Sequence, residues 1–427
     1  MSFLCWDPVL FLSPLCIVGK PMKRLFAIIS ALCLLVACRH PQMVFEDFDT
    51  FKVFASGETQ VAMADGMLNP EIRLMEDPSA DEPDTKIAST GVSNLATDVL
   101  GSIFCNSVVH VSGTYAGHDV DGSPITLSGK LLIPKEGPVK NLIIVSHYTI
   151  GANYECPSET FPMEGLLAAK GYAVCIADYI GFGVTASRVH PYMHTESTAR
   201  SVVDMALAVK PYLKHIGREP DSNEVILVGY SQGGSTTIAV MRMIQRKFAD
   251  QLPIKKVYCG GGPYDLAATF DSAISQDRTG IPCAIPMIVQ GVNEGDNLGL
   301  NLADFFKPEL LAHYDDWINS KHYTVKQINM LMNAKNVHDV MTESGMDKHN
   351  PSTARLYKAL MINSVLDFRP QHPIYMFHSK DDETVPFVNA QRAEKYFKGW
   401  DITFDFDHYG KHGMGALRFI IKVSQQL

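Results

Sequence analysis

Residues 225–234 read Val-Ile-Leu-Val-Gly-Tyr-Ser-Gln-Gly-Gly, and Ser235-Thr-Thr-Ile-Ala-Val-Met-Arg-Met-Ile follows with helical character. Four β-favouring apolar residues run into a G-x-S-x-G, which predicts a buried strand breaking sharply into a helix. Such a break presents Ser231 as a candidate nucleophile. Gly229 and Gly233 suit it, because strand and helix pass close together there and the serine backbone is strained.

Working outward, the chain alternates short apolar runs with helical patterns. Strands are expected at Val108–Tyr115, Ile125–Ile133, Asn141–Ser146, Tyr172–Ala177, Lys256–Gly260, Pro373–His378 and Ile402–Phe406. Helices are expected at Phe161–Lys170, at Glu196–Leu213 and from about Met414 to the end. Apolar strands alternating with helices imply an α/β fold, a mostly parallel sheet covered on both faces. The first two strands would form its antiparallel edge. Residues 265–369 break the rhythm with helix-like patterns at Asn301–Asp316, Thr324–Asn333 and Thr353–Ser364. They read as a helical cap inserted in a core of 91–264 and 370–427, lying over the carboxyl ends of the strands.

A serine needs a base, and the base needs a carboxylate to orient it. In the α/β-hydrolase order these follow as Ser, Asp or Glu, then His. Phe377-His-Ser-Lys-Asp-Asp-Glu-Thr-Val-Pro386 begins at a strand end, and its register selects Asp382, with Asp381 and Glu383 as neighbouring alternatives. Asp407-His-Tyr-Gly-Lys-His-Gly-Met-Gly415 follows the last strand and offers His412, with His408 as alternative. The backbone N–H of Gln232 is one oxyanion donor. The second is expected from the His147–Gly151 loop, with Thr149 and Tyr148 as candidates.

Several segments go beyond that general pattern. His147-Tyr-Thr-Ile-Gly with Cys156-Pro-Ser, Ala177-Asp-Tyr-Ile-Gly-Phe-Gly183, His190-Pro-Tyr192, Glu196–Asp204, the Gly229 motif and Gly262-Pro-Tyr-Asp-Leu resemble the LIP-type secretory lipase family of α/β-hydrolases. The resemblance runs from about residue 105 to the C-terminus. It implies a serine esterase or lipase with a helical lid and no cofactor, with Ser231 as nucleophile, Asp382 as acid and His412 as base. It also implies that Asp178 and Tyr179 organise the turn beside the site. The His-Tyr oxyanion segment and the shortened Cys-Pro-Ser depart from the family pattern, which bears on substrate preference more than on reaction type. The competing functions are a serine peptidase of the prolyl-oligopeptidase kind, usually accompanied by a propeller, and a catalytically silent envelope binding protein.

The N-terminus carries an address. Met22–Cys38 has a basic start, an apolar stretch of signal-peptide length and small residues before a cysteine. Leu35-Val-Ala-Cys38 resembles the lipobox of bacterial lipoproteins, which implies removal of residues 1–37 and a lipid on Cys38. Met22 is the more natural start. The stretch from Arg39 to about Thr90, acidic and proline-punctuated at Glu76–Thr85, reads as a tether. The expected setting is a bacterial cell envelope, with a small-molecule, lipid or glycan ester as substrate. Formal net charge is −9 with no basic block, which excludes nucleic acid as a partner. No cysteine spacing suits a metal, and Cys156 is available to pair with Cys283. Replacing Cys38 by Ser is expected to move the protein from the membrane to the soluble fraction, read by fractionation of cells expressing each form.

Overall fold

The computed structural model describes residues 47–63, 104–276 and 280–427. The signal segment and Cys38 lie outside the described residues. Among the described residues nine strands form one sheet: β1 (Lys52–Met63), β2 (Phe104–His118), β3 (Pro124–Pro134), β4 (Leu142–Ser146), β5 (Ala173–Ala177), β6 (Val225–Tyr230), β7 (Ile254–Gly260), β8 (Ile374–Ser379) and β9 (Ile402–Asp407). Their spatial order is β1-β2-β3-β5-β4-β6-β7-β8-β9. Pairings are antiparallel from β1 through β3 to β5, and parallel from β5 to β9.

The strands at the centre are buried along their whole length because both faces are covered. In β4, Leu142 and Ile144 join one apolar core, while Ile143 and Val145 join the core on the opposite face. A strand clothed on both sides reads as a continuous apolar run, which is why the period-2 alternation is missing from its sequence. The covering helices include α1 (Gly165–Ala169), α2 (Thr195–His215), α3 (Gln232–Met243), α8 (Val388–Phe397) and α9 (His412–Gln426). Between β7 and β8 lie α4 (Leu266–Ser275), α5 (Ala284–Gly295), α6 (Val325–Met332) and α7 (Pro351–Ile362), with an apolar cluster that includes Phe270, Phe305, Phe306, Leu356 and Leu360.

Three local expectations need correction. Lys52–Met63, read as part of an irregular tether, forms a strand paired with β2 from Lys52↔Thr114 to Met63↔Phe104. Its apolar residues gather at its two ends, Val53–Ala55 and Val61–Met63, around a polar middle, so no period-2 alternation marks it and its pairing with β2 defines it. Asn301–Asp316 is not one helix but a short turn at Leu302–Asp304 followed by a fresh turn at Pro308–Leu311. Pro308 has no N–H to continue a helix and instead begins one. Cys156 and Cys283 are both free and buried, so the pairing is not formed.

β4 is followed in sequence by its neighbour on one side, β5, and then by β6 on the other. That reversal opens a crevice at the carboxyl ends of the strands, the place where open α/β sheets bind ligands. The turn from β6 into α3 is tight enough to exclude side chains. A Cβ on Gly229 would stand 2.2 Å from the Gly233 carbonyl oxygen, and one on Gly233 would stand 2.0 Å from that of Ser146. Gly233→Ala is therefore expected to lose about 2–3 kcal/mol of stability in urea melts. Gly122→Ala, at a φ of +81° with nothing within 4 Å of the added carbon, is expected to lose only about 1 kcal/mol.

Candidate active site

Ser231 occupies the break itself, with φ 60° and ψ −127°. A non-glycine residue avoids positive φ at a cost of order 1–3 kcal/mol, so the surroundings must impose it. They do so on both sides of the peptide chain. The Ser231 N–H donates to the Gly260 carbonyl at 2.9 Å, and its own carbonyl accepts from the Gly234 N–H at 2.8 Å. The side chain is thereby turned off the sheet toward the residues that follow β8 and β9.

His412 Nε2 lies 2.8 Å from Ser231 Oγ, and His412 Nδ1 lies 2.6 Å from Asp382 Oδ2. All three residues are buried. Asp382 uses its other oxygen to accept from the backbone N–H groups of Thr384 and Val385, at 2.9 and 2.8 Å. Burial alone would push its carboxyl pKa up. The adjoining His412, the nearby His378 and the Val385 N–H outweigh that burial and hold it below the ordinary carboxylate range. Because the folded value is lowered, the stability from this ionised group is present above the unfolded value of about 4 and is lost as pH falls through the folded one. His412 is the first residue of α9 rather than a loop residue, so the helix starts two positions earlier than its apolar pattern suggests. Tyr230 donates its hydroxyl to the His412 carbonyl at 3.0 Å and fixes that helix end.

The alternatives pair among themselves on the surface. Asp381 accepts from His408 at 2.6 Å, both groups being exposed, and Glu383 pairs with Lys411 at 3.0 Å. None of these three side chains shares the burial of Asp382 and His412.

Facing Ser231 is the His147–Gly151 loop after β4. His147 is stacked on Tyr179 with ring centroids 3.8 Å apart, and burial lowers its pKa to about 4. It is therefore neutral near pH 7, and its Nδ1 N–H donates to the Tyr148 carbonyl at 2.6 Å. The Thr149 hydroxyl meets the Tyr192 hydroxyl at 2.7 Å, and Glu155 accepts from the N–H groups of Gly151 and Ala152 at 3.1 and 3.0 Å. These contacts pin the loop from three sides. Gln232 follows Ser231 directly as the first residue of α3, where backbone N–H groups have no partner within the helix. Behind the loop, Asp178 is buried and accepts from Ser128 Oγ at 2.6 Å and the Ser158 N–H at 2.8 Å. It ties the end of β5 to neighbouring segments and does not line the cavity beside Ser231.

That cavity has a volume of about 700 Å³ and is walled by residues from separate parts of the chain. Tyr148 and Thr149 come from the loop after β4, Phe161 and Glu164 from the approach to α1, and Ile281, Val325, Gln327 and Met330 from the segment between β7 and β8. Sequence reasoning singled out neither Glu164 nor Tyr192. Glu164 looked like an ordinary helix residue, because the expected helix at Phe161–Lys170 narrows to Gly165–Ala169 and leaves it outside. Tyr192 lay in a family-like segment with no chemical signal of its own. No group of residues that could hold a metal is present among the described residues.

The secretory lipase profile matches residues 154–418, more than half of the chain. The chain belongs to the secretory lipase family. The chain is 24% identical over 310 residues to a secreted triacylglycerol lipase of Malassezia restricta, across 67% of its own length and 62% of that relative's. It spans less than two thirds of that curated relative. Among solved structures, a Legionella pneumophila protein superposes with a TM-score of 0.69 at 20% identity, covering 75% of this chain and 88% of the other. The rice cell wall degrading esterase LipA of Xanthomonas oryzae superposes with a TM-score of 0.64 at 25% identity, over 75% and 89% of the two chains. The fold is that of the α/β-hydrolases.

The hydrogen-bond chain predicts a sharp division between adjacent acids. Asp382→Asn is expected to slow fluorophosphonate labelling of Ser231 by about 10³–10⁴-fold, because an amide favours the wrong histidine tautomer. Asp381→Asn and His408→Ala are expected to label within about twofold of the native rate.

Proposed function

We propose that this protein is a serine carboxylic-ester hydrolase working through an acyl-enzyme. The observation that carries the reading is the buried run from Asp382 Oδ2 through His412 to Ser231 Oγ, with links of 2.6 and 2.8 Å, opening on a cavity of about 700 Å³. Ser231 Oγ attacks the ester carbonyl carbon while His412 Nε2 takes its proton. Asp382 keeps the His412 Nδ1–H directed toward it and stabilises the imidazolium. The carbonyl oxygen becomes an oxyanion held by the Gln232 N–H and an N–H of the 147–151 loop, from Tyr148 or Thr149. His412 then returns the proton to the departing alcohol, and water attacks the acyl-enzyme by the same route.

The segment 265–369 acts in this reading as a cap, since Ile281, Val325 and Met330 wall the cavity opposite the sheet. Substrates are acyl glycerides, as the name of the Malassezia relative suggests for that protein, or plant or glycan esters, as the name of LipA does for its own. The protein is exported and held on a bacterial envelope through a lipid on Cys38.

The test is hydrolysis of p-nitrophenyl esters from acetate to palmitate by protein beginning after Cys38, beside Ser231→Ala. Turnover is expected in the native protein and a fall of about 10⁴-fold or more in the variant. Equal turnover in both would overturn the assignment.

A further inference from the structure

Glu164 is an ionisable group of the cavity for which the hydrolytic steps have no use. It lines the same space as Ser231 and His412, and also a small void bounded by Ser146, Tyr148 and Tyr230 behind the loop. It stands at the N-cap position of α1 but makes no side-chain cap, so its carboxylate is not engaged in closing the helix. Its one hydrogen bond is to its own backbone N–H. Among the described residues no cation pairs with it. Lys326 borders the cavity without reaching it, and the other carboxylate there, Glu155, is occupied by the Gly151 and Ala152 N–H groups.

Glu164 is half-buried, and the part of its carboxylate that protein screens from water is short of donors, which raises its pKa. What would repair the deficit is a donor brought into the cavity. The rest of the wall is mixed rather than a plain acyl channel: Thr160, Thr324 and Gln327 stand among Phe161, Ile176 and Val325. An apolar portion and a hydroxylated portion of one substrate both find complementary surface.

We propose that Glu164 is a specificity-determining residue that accepts a hydrogen bond from a free hydroxyl of the substrate near the scissile ester. The protein would then favour esters of hydroxylated partners over simple alkyl esters. This rests on the ester-hydrolase reading above. The hydroxyl could belong to the alcohol, as in a monoacylglycerol or a sugar ester, or to the acyl group, as in a hydroxy acid.

Three butyrate-type esters separate these cases. Propyl butyrate has no hydroxyl, 1-monobutyrylglycerol carries two on the same three-carbon alcohol, and propyl 3-hydroxybutyrate carries one on the acyl chain. The quantity read is kcat/KM for each hydroxylated ester divided by that for propyl butyrate. Losing a hydrogen bond to a charged acceptor is worth about tenfold or more, so one of the two ratios is expected to fall by at least that much in Glu164→Leu. Glu164→Gln keeps an uncharged acceptor oxygen, and a fall of roughly threefold is expected there. The ratio that falls identifies the side bearing the hydroxyl. Both ratios staying within twofold of native in both variants would overturn the role of Glu164 while leaving the esterase intact. If Glu164→Leu does not fold, the Glu164→Gln ratios alone decide. Hydrolysis of none of the three by native protein, or undiminished hydrolysis by Ser231→Ala, would instead remove the esterase reading and this inference with it.

Discussion

The site depends on a backbone conformation that the polypeptide would not choose for itself. At φ 60° and ψ −127°, Ser231 is held by bonds to Gly260 and Gly234, while Gly229 and Gly233 let β6, α3 and the end of β4 come within contact distance. Each requirement excludes a side chain at a different position. Together they convert a smooth strand-to-helix connection into a corner with one hydroxyl at its tip. A corner of this kind stores strain, and the sheet stabilises it because β4 and β6 are buried along both faces.

The charge in the site is managed by the same packing. Asp382 is nearly inaccessible, a setting that by itself disfavours ionisation, yet two backbone N–H groups and His412 surround it with donors. The carboxyl is kept ionised by directed partners rather than by water. The Asp381–His408 pair beside it shows the contrast, since the same residue types at nearly the same distance are exposed there. Two acid–imidazole pairs, their acids adjacent in the chain and their histidines four residues apart, thus differ in environment, one enclosed and the other a surface ion pair worth little.

Around these groups the cavity wall draws on four regions far apart in the chain. The loop after β4 is pinned by His147, Tyr192 and Glu155, which leaves Tyr148 and Thr149 facing Ser231 with little freedom to move. The segment between β7 and β8 supplies the opposing wall from a separate apolar cluster. The apolar cluster behind that wall is separate from the clusters that pack the two faces of the sheet.

Much of this was legible before any coordinates. The parallel strands announce themselves because burial on both faces demands uninterrupted apolar runs, and the corner announces itself because only glycine survives the close approaches beside Ser231. The nomination of Asp382 and His412 came from chain order and from segments resembling a family, both of which are local. What tertiary structure alone decided is everything that depends on neighbours distant in sequence. Lys52–Met63 has its apolar residues bunched at both ends around a polar middle, without the alternation that declares a strand, and pairing with β2 makes it one. Cys156, expected to be available to Cys283, is buried and forms no disulfide, and the Asp381–His408 contact joins residues nearly thirty positions apart. Glu164 is an unremarkable glutamate in the chain, and it meets the cavity of Ser231 only because α1 begins one residue after it. Periodicity and glycine spacing are imposed by local backbone sterics and burial, so sequence records them. The company a side chain keeps across the fold leaves no such local mark.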